Sequence, residues 1–352
     1  MWAGPLDFFV QLHVTERCNL RCRHCYQSAK TLEMSFEEVT AAIDNVKDAI
    51  RGWAMDHEMV VSPSLHITGG EPVVRKDLFD VVSYGRECGF SVSLMSNGTM
   101  IDSEAARRVA DCGVADVQIS IDGLEETHDA VRGPGSFRRA LVGVESLVTG
   151  GVETNLNVTV SRLNAGEVAG LARLGCDLGA SAVAFSRLVP TGTGAGLESA
   201  LLSREEVAAL YEEIRELGDG GGIAVTSRDP LAVVAGMSDD VPEVDVPIGG
   251  CAAGMFGVTI ASDGTIMPCR RMDMPVGNIL EHSFRELWVE SPVLSALRTR
   301  DAYHGGCETC AYWAVCRGCR AIALAHARAG GADDCLGPDP QCPYWRPMGG
   351  AD

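Results

Sequence analysis

The sequence predicts an α/β fold, a partial (β/α)6 barrel with a C-terminal cysteine-rich domain. Short apolar runs alternate with amphipathic stretches between about residues 8 and 230, glycine-rich and polar motifs follow the ends of the apolar runs, and eight of the fourteen cysteines lie beyond residue 250. Six strand–helix units in succession imply a parallel sheet with right-handed crossovers. Because loops at the carboxyl ends of strands form the site in parallel barrels, the position of the motifs favours a barrel over a doubly wound sheet.

The six units follow from local patterns in the sequence. The predicted strands are short apolar runs at residues 8–14, 64–67, 91–95, 117–121, 154–160 and 182–185. The predicted helices between them are amphipathic stretches at 35–50, 76–86, 103–111, 136–148 and 165–176. Glu38 stands three residues after Ser35, which is the capping-box pattern of a helix start.

After the sixth strand the regular alternation stops. The glycine-rich segment 191–196 predicts a flexible loop, and a helix (203–217) and a short strand (223–226) follow it. The next segment is rich in proline, aspartate and glycine and is predicted to be a linker. We therefore divide the chain into a barrel domain (1–238), a linker (239–250) and a cysteine-rich domain (251–352).

Composition limits the classes of protein and partner. Hydrophobic residues make up 46% of the 352 residues, enough for a sizeable core, and no run of 18 apolar residues predicts a membrane span. The net charge of −19 argues against nucleic acid as a partner, because phosphate binding needs a basic surface. Fourteen cysteines without a secretion signal indicate a reducing compartment, so we expect a cytoplasmic protein whose cysteines bind metal.

The first chemical motif is a loop of three cysteines in the order C-x3-C-x2-C. It consists of Cys18, Cys22 and Cys25, with Tyr26 directly behind. Three thiolates on one loop can hold three irons of a [4Fe–4S] cluster and leave the fourth iron open for a small molecule. A disulfide framework is expected in short secreted chains, and a zinc knuckle needs a fourth ligand, for which His24 is poorly placed inside the x2 gap. The loop therefore predicts a [4Fe–4S] cluster.

The cysteine loop and the motifs on the following strands resemble those of radical S-adenosylmethionine (radical SAM) enzymes. Residues 69–72, GGEP, are similar to the family motif that holds the methionyl amino group. The resemblance assigns seven residues to S-adenosylmethionine: Gly69, Gly70 and Glu71 at the methionine end, Ser96 and Asn97 on the ribose side, and Ser120 and Arg132 at the carboxylate. It also implies the family reaction, in which an electron from a flavodoxin- or ferredoxin-type donor leads to a 5′-deoxyadenosyl radical that abstracts a hydrogen atom.

The C-terminal cysteines form a second pattern. They read Cys251-x12-Gly264-x4-Cys269, Cys307-x2-Cys310-x5-Cys316-x2-Cys319 and Cys335-x6-Cys342. A zinc ribbon would separate its two C-x2-C pairs by about 15–20 residues, whereas the gap here is five. Eight thiolates are suited to two further Fe–S clusters. The pattern resembles the SPASM extension of radical SAM enzymes, except that the family run ends in C-x3-C where this chain has C-x2-C.

The SPASM resemblance implies a ligand set for each auxiliary cluster. Cys307, Cys310, Cys316 and Cys342 would hold the outer cluster, and Cys251, Cys269 and Cys319 the inner one, with Cys335 either its fourth ligand or a bystander. If cysteines ligate both clusters fully, an electron relay is favoured over substrate binding at an open iron. In sulfatase maturases an aspartate directly follows the cysteine that matches Cys269; here Arg270 stands there, which argues against that activity.

Three hypotheses about function follow. The first is oxidative modification, such as crosslinking, of a ribosomally made peptide. Because no further domain precedes the first strand, we expect either that a separate leader-peptide-binding protein presents the peptide or that the substrate is small. The second is maturation of a small-molecule cofactor or tetrapyrrole, because residues 316–321 and 339–342 resemble haem-modifying, mycofactocin and pyrroloquinoline-quinone maturases. The third, a non-catalytic metal-binding scaffold, predicts that S-adenosylmethionine is not cleaved.

Overall fold

One ten-stranded sheet organises the molecule. The structure is a computed structural model and describes residues 5–27, 32–237, 241 and 244–345, so both chain ends and part of the predicted linker lie outside the described residues. The strands run in the order β10-β9-β8-β1-β2-β3-β4-β5-β6-β7. They are β1 (Leu6–His13), β2 (Val61–Thr68), β3 (Ser91–Ser96), β4 (Asp116–Ser120), β5 (Thr154–Val160), β6 (Ala182–Arg187), β7 (Ala224–Ser227), β8 (Gly257–Ile260), β9 (Thr265–Met267) and β10 (Gly277–Asn278).

Helices connect the parallel strands. They are α1 (Phe36–Asp56), α2 (Leu78–Glu87), α3 (Ser103–Asp111), α4 (Glu125–Arg132), α5 (Ser136–Thr149), α6 (Val168–Asp177), α7 (Arg204–Asp219), α8 (Pro230–Ala235), α9 (Phe284–Glu290), α10 (Pro292–Arg298) and α11 (Arg320–Ala329). Strands β1 to β6 pair in chain order, all parallel, which confirms the predicted partial barrel. The predicted capping box at Ser35 and Glu38 is present, whereas α4 was not predicted.

The two faces of the barrel strands differ in polarity. On β5, Leu156 and Val158 are buried and belong to the hydrophobic core, whereas the alternating Asn157 and Thr159 line the central cavity. Gln118 and Ser120 on β4 also line this cavity. Since successive side chains of a strand point to opposite faces, the sheet presents an apolar face to the core and a polar face to the site.

The sheet continues across the predicted linker into the cysteine-rich region. Strand β8 pairs in parallel with β1, with Phe9 opposite Gly257 and Leu12 opposite Ile260, and β9 and β10 add antiparallel strands. A Cβ atom at Gly257 would lie 2.4 Å from the Phe9 carbonyl oxygen, so glycine permits this pairing. The domain boundaries at 238 and 251 stay a prediction. No helix in the described part of the chain is long and apolar enough to cross a membrane.

An aromatic cluster joins the first strand to helices from both halves of the chain. The ring of Phe8, 1% exposed, lies 5.5 Å from that of Trp53 on α1, and 6.1 and 5.1 Å from those of Phe284 and Trp288 on α9. We expect Phe8→Ala to lower the free energy of unfolding by about 3–5 kcal/mol, because it removes a buried ring and leaves a cavity. Chemical denaturation measures this loss; Phe8→Leu, which keeps most of the volume, should lose less, and equal losses would contradict the packing argument.

Candidate active site

A large cavity lies where the barrel strands end. It has a volume of about 1490 Å³ and is lined by the loop after β1, by the turn after β2 and by residues at the carboxyl ends of β3 to β6. Nine of the ten residues predicted for the cluster and S-adenosylmethionine line it: Cys18, Cys22, Cys25, Gly69, Gly70, Ser96, Asn97, Ser120 and Arg132. Glu71 is the exception. The topology therefore brings together motifs from four strand ends that are far apart in sequence.

The three-cysteine loop is held by backbone hydrogen bonds. The Cys25 amide donates to the Cys22 carbonyl at 3.3 Å, and the Thr193 hydroxyl donates to the carbonyls of Cys22 and Cys25 at 3.1 Å each. Thr193 belongs to the segment predicted as a flexible loop, which instead forms a 3-10 turn, Gly192–Gly196, against the cysteine loop. The turn depends on glycine, because a Cβ at Gly192 would lie 2.4 Å from the Tyr26 backbone.

The chemical surroundings of the three thiols suit an anionic Fe–S cluster. Burial raises the pKa of the Cys22 thiol to about 11, and the Arg132 guanidinium opposes that rise. Burial also raises the pKa of Cys18, although the Leu20 amide donates to its sulfur at 3.4 Å. A cation and an amide donor therefore face thiols that are otherwise poorly solvated. Such groups would stabilise thiolates and the negative charge of a cluster.

The Gly69-Gly70 turn packs directly on the cysteine loop. The Gly70 amide donates to the Thr15 carbonyl and the Glu71 amide to the Arg17 carbonyl, both at 2.8 Å. A Cβ at Gly69, where φ is +143°, would lie 2.2 Å from the Thr15 oxygen, and one at Gly70 would lie 2.2 Å from the Arg17 oxygen. The two glycines are needed because they allow this close approach of backbones, which sets the position of the cysteine loop.

This contact gives a prediction for Gly70→Ala. We expect the variant to lose most of its iron at the first cysteine loop, because the new methyl group must push the loop away from the turn. Iron per chain after anaerobic reconstitution measures the effect. Gly166→Ala is the matched control, since a Cβ at Gly166 has no atom within 4 Å. Full iron content in Gly70→Ala would show that the turn does not determine the loop position.

The carboxylate of Glu71 faces the next strand end rather than the cavity. It is fully buried and accepts hydrogen bonds from the Ser96 hydroxyl and the Asn97 amide, both at 2.8 Å, and from the Val73 amide at 3.3 Å. Burial raises the pKa of Glu71, and these donors act in the opposite direction. The geometry gives Glu71 the role of holding Ser96 and Asn97 on the cavity wall, so a direct contact of its carboxylate with the methionine end stays a prediction.

A buried ion network that the sequence analysis missed supports the cysteine loop from the other side. Asp122, 1% exposed, pairs with Arg132 and with the His24 ring nitrogen at 2.9 Å, and accepts from the Thr159 amide at 2.8 Å. Burial alone would raise the pKa of Asp122, but the charges of Arg132 and His24 outweigh burial and lower it. His24 is thus turned to Asp122, away from a ligand role. The available signal was the position of Asp122 two residues after β4.

Four C-terminal cysteines line a second cavity. Its volume is about 450 Å³, and its wall contains the four residues predicted for the outer cluster, Cys307, Cys310, Cys316 and Cys342. The Gly318 amide donates to the Cys316 sulfur at 3.2 Å, and burial raises the pKa of Cys342 to about 11. A cavity walled by four thiols matches the donor set of a four-cysteine cluster.

The other four C-terminal cysteines share one apolar cluster. Buried Cys319 and Cys335 belong to it, and Cys251 and Cys269 pack against it. Cys335 therefore lies with Cys251, Cys269 and Cys319, the residues predicted for the inner cluster, and is absent from the wall of the second cavity. We call these four residues the inner cysteine set. In the described part of the chain no three Cys, His, Asp or Glu side chains converge on a point as ligands of one metal ion would, and none of the fourteen cysteines forms a disulfide.

A buried arginine joins the barrel to the cysteine-rich region. Arg187, at the end of β6, pairs with Asp229 at 2.9 Å and with Asp339 at 2.7 Å, and it lines the large cavity. Asp339 also accepts from the Cys319 amide at 2.9 Å. This network connects the backbone of Cys319 to Arg187 on the wall of the large cavity. Its members are up to 152 positions apart, so no sequence pattern predicted it.

Comparison with known proteins agrees with this geometry. Residues 12–175 match the model of the Radical SAM superfamily, and residues 251–320 match SPASM, an iron–sulfur cluster-binding domain. The AdoMet-dependent heme synthase of Methanosarcina barkeri is 32% identical to this chain over 95% of the chain and 96% of that protein. The chain belongs to the radical SAM superfamily. It is therefore a radical SAM enzyme with a SPASM iron–sulfur domain, as the sequence predicted.

One further relative and one solved structure are also similar to the chain. The mycofactocin maturase MftC of Mycolicibacterium smegmatis is 31% identical over 94% of this chain and 81% of that protein. The crystal structure of Streptococcus suis SuiB bound to precursor peptide SuiA matches with a TM-score of 0.72 at 15% identity, over 94% of this chain and 74% of that one. The latter similarity concerns the fold alone. The relatives at 30% identity or more thus include a mycofactocin maturase and a haem synthase.

Proposed function

We propose that Cys18, Cys22 and Cys25 hold a [4Fe–4S] cluster with an open iron, and that S-adenosylmethionine binds over it in the large cavity. The observation that carries this proposal is that the three cysteines share one cavity with the Gly69-Gly70 turn and the strand-end residues of β3 and β4. When bound, the reduced cluster and S-adenosylmethionine supply a 5′-deoxyadenosyl radical that takes a hydrogen atom from an unreactive C–H bond.

The residues of the chain bind and orient the cosubstrate. Glu71 holds Ser96 and Asn97 through hydrogen bonds, and their side chains would contact the ribose of the cosubstrate. Arg132 keeps its charge through the pair with Asp122 and, with Ser120, offers donors to the carboxylate of the cosubstrate. The polar wall formed by Gln118, Asn157 and Thr159 would hold the substrate or ordered water opposite the cysteines.

The first candidate substrate is a ribosomally made peptide, which the enzyme would modify oxidatively. The size of the cavity favours it. Its volume of about 1490 Å³ exceeds the range of about 300–1,000 Å³ that is usual for small-molecule sites, so it has room for a cosubstrate together with a peptide segment. A separate leader-peptide-binding protein would then present the substrate.

The second candidate substrate is a tetrapyrrole. It is favoured by the haem synthase of Methanosarcina barkeri, because that similarity extends over nearly the full length of both proteins. Seven arginines but only two carboxylate residues line the cavity, a composition that suits a molecule with several carboxylates. Incubation with each substrate class distinguishes the two candidates.

We assign the C-terminal cysteines to electron relay. Cys307, Cys310, Cys316 and Cys342 would hold the outer cluster, and Cys251, Cys269, Cys319 and Cys335 the inner one. The Arg187 network links Cys319 to the wall of the large cavity, which supports a path for an electron from a product radical through the inner cluster and then the outer one. A flavodoxin- or ferredoxin-type protein would reduce the first cluster in a reducing cytoplasm.

Reconstitution with iron and sulfide under anaerobic conditions tests the proposal. With S-adenosylmethionine and a strong reductant, we expect the protein to release 5′-deoxyadenosine, and with the correct substrate to release more. Failure to cleave S-adenosylmethionine with a full iron load, even with peptide and tetrapyrrole substrates present, would favour the metal-binding scaffold.

A further inference from the structure

Two arginines on the wall of the large cavity differ from the others. Arg17, Arg132 and Arg187 line the same cavity but are paired with carboxylates of Glu33, Asp122 and Asp229. Arg270 and Arg271, which follow Cys269, are only partly exposed. Among the described residues neither forms an ion pair with a carboxylate, although the charge of Asp229 acts on Arg271. Arg21 and Arg23, the remaining two arginines of the wall, are exposed.

The carboxylates on this wall are engaged elsewhere. Glu33 accepts from Arg17, and Glu16 lies 3.5 Å from the His13 ring nitrogen. The groups that act most strongly on the Arg270 charge are the Tyr26 phenol, the Arg271 guanidinium and the thiols of Cys269 and Cys319, and no carboxylate is among them. A guanidinium moved out of water into such a place is stabilised when a bound group supplies a carboxylate, in addition to the thiols of the inner set.

The two adjacent arginines face different surroundings. Arg271 donates a long hydrogen bond of 3.5 Å to the Arg187 carbonyl and hydrogen-bonds the Cys269 thiol. Its positive charge would therefore stabilise thiolates of the inner cysteine set. The Arg270 guanidinium lies over the ring of Tyr26, 5.6 Å from the centroid, and Tyr26 follows Cys25. A guanidinium on an aromatic face keeps its in-plane N–H groups available for a planar, two-point contact with a carboxylate.

We propose that Arg270 binds a carboxylate of the substrate and so fixes the substrate between the first cysteine loop and the inner cysteine set. This inference rests on the proposed function and adds to it the chemical class of the group recognised. The carboxylate could be a propionate of a tetrapyrrole or an acidic group of a peptide, and the shared chemistry is a bidentate pair with a guanidinium.

Binding measurements with the reconstituted enzyme test this assignment. The first pair of probes is iron coproporphyrin III, with four propionates, and its tetramethyl ester. The second pair is a short synthetic alanine–glycine peptide that ends in glutamate and the same peptide ending in glutamine amide. Equilibrium dialysis gives the dissociation constant of each probe. In the wild type we expect the acid of one pair to bind more tightly than its neutral counterpart, and the pair that shows this preference identifies the source of the carboxylate.

The variants decide whether Arg270 is responsible. In Arg270→Gln the acid should bind about 10- to 100-fold more weakly while the neutral probe is unaffected, since one charge-assisted pair is lost. Arg270→Lys should keep part of the preference, and Arg139→Ala, an exposed arginine on α5, should keep all of it. Iron content should match the wild type in each variant, and in Arg139→Ala the release of 5′-deoxyadenosine without substrate should match it too.

Three results would overturn the assignment. They are the absence of any acid preference in the wild type, a preference that persists in Arg270→Gln, and a loss of S-adenosylmethionine binding in Arg270→Gln, which would place the cosubstrate carboxylate there. Failure of the proposed function itself is recognised separately, because then the wild type would also fail to release 5′-deoxyadenosine.

Discussion

Cys22→Ala is expected to abolish the reductive cleavage of S-adenosylmethionine. Cys22 is the central cysteine of the C-x3-C-x2-C loop. With only two thiolates left on that loop, the proposed [4Fe–4S] cluster would be lost or could not bind the cosubstrate at a defined open iron. We expect release of 5′-deoxyadenosine to fall to background, and iron to fall by about four atoms per chain of roughly twelve in a protein with three cubes. Anaerobic assay and iron analysis measure the two effects together.

The control for this experiment is another cysteine of the barrel. Cys176→Ala replaces an exposed cysteine on α6 that is absent from the cavity wall, so it should retain full iron and full cleavage. Cleavage by Cys22→Ala at the wild-type rate would refute the assignment of the first cluster. A melting temperature close to that of the wild type would show that the loss is chemical and not a loss of fold.

Cys310→Ala is expected to separate cleavage from product formation. Cys310 lines the outer cavity, away from the first cysteine loop, so S-adenosylmethionine should still be cleaved. If the outer cluster relays the electron of the product radical, its loss should reduce product to background while 5′-deoxyadenosine is still released. Quantifying both compounds in one reaction with the identified substrate measures the separation.

The outcome depends on the variant remaining folded. Cys310→Ser and Cys342→Ala remove the same cluster by different changes, and agreement among the three variants would exclude a local packing defect. Cys112→Ala, at the end of α3, serves as the control with normal turnover. Normal product formation in Cys310→Ala would show that the outer cysteine set is not needed as a relay.

Much of the site could be predicted because its motifs are local in sequence. The three cysteines stand within eight residues, and their spacing alone indicates the cluster. Gly69 and Gly70 end a strand, and alternating apolar runs indicate parallel strands, whose carboxyl ends must meet at one rim. These features depend on short-range periodicity and on the chemistry of the residue types, which the sequence displays directly.

Other features depended on which distant segments fold against one another. The partner of Glu71 is the Ser96–Asn97 strand end and not an open cavity, and His24 is committed to Asp122, about a hundred positions away. The sequence left Cys335 open, whereas packing places it with the inner set. The sequence does not show whether a carboxylate or a thiol lies in a buried hydrogen-bond network or on the wall of a cavity. Its role can therefore be assigned only when its neighbours in the fold are known.

The sequence by itself determined the family chemistry, the barrel and the number of thiols available for Fe–S clusters. The tertiary structure alone decided how the two halves join, through the pairing of β8 with β1 and the pairs of Arg187 with Asp229 and Asp339. It also decided which cavity arginines pair with carboxylates, namely Arg17, Arg132 and Arg187. Local patterns are fixed by neighbours along the chain, whereas strand pairing, charge pairing and burial are fixed by contacts between distant segments, such as Phe9 and Gly257, which only the folded chain brings together.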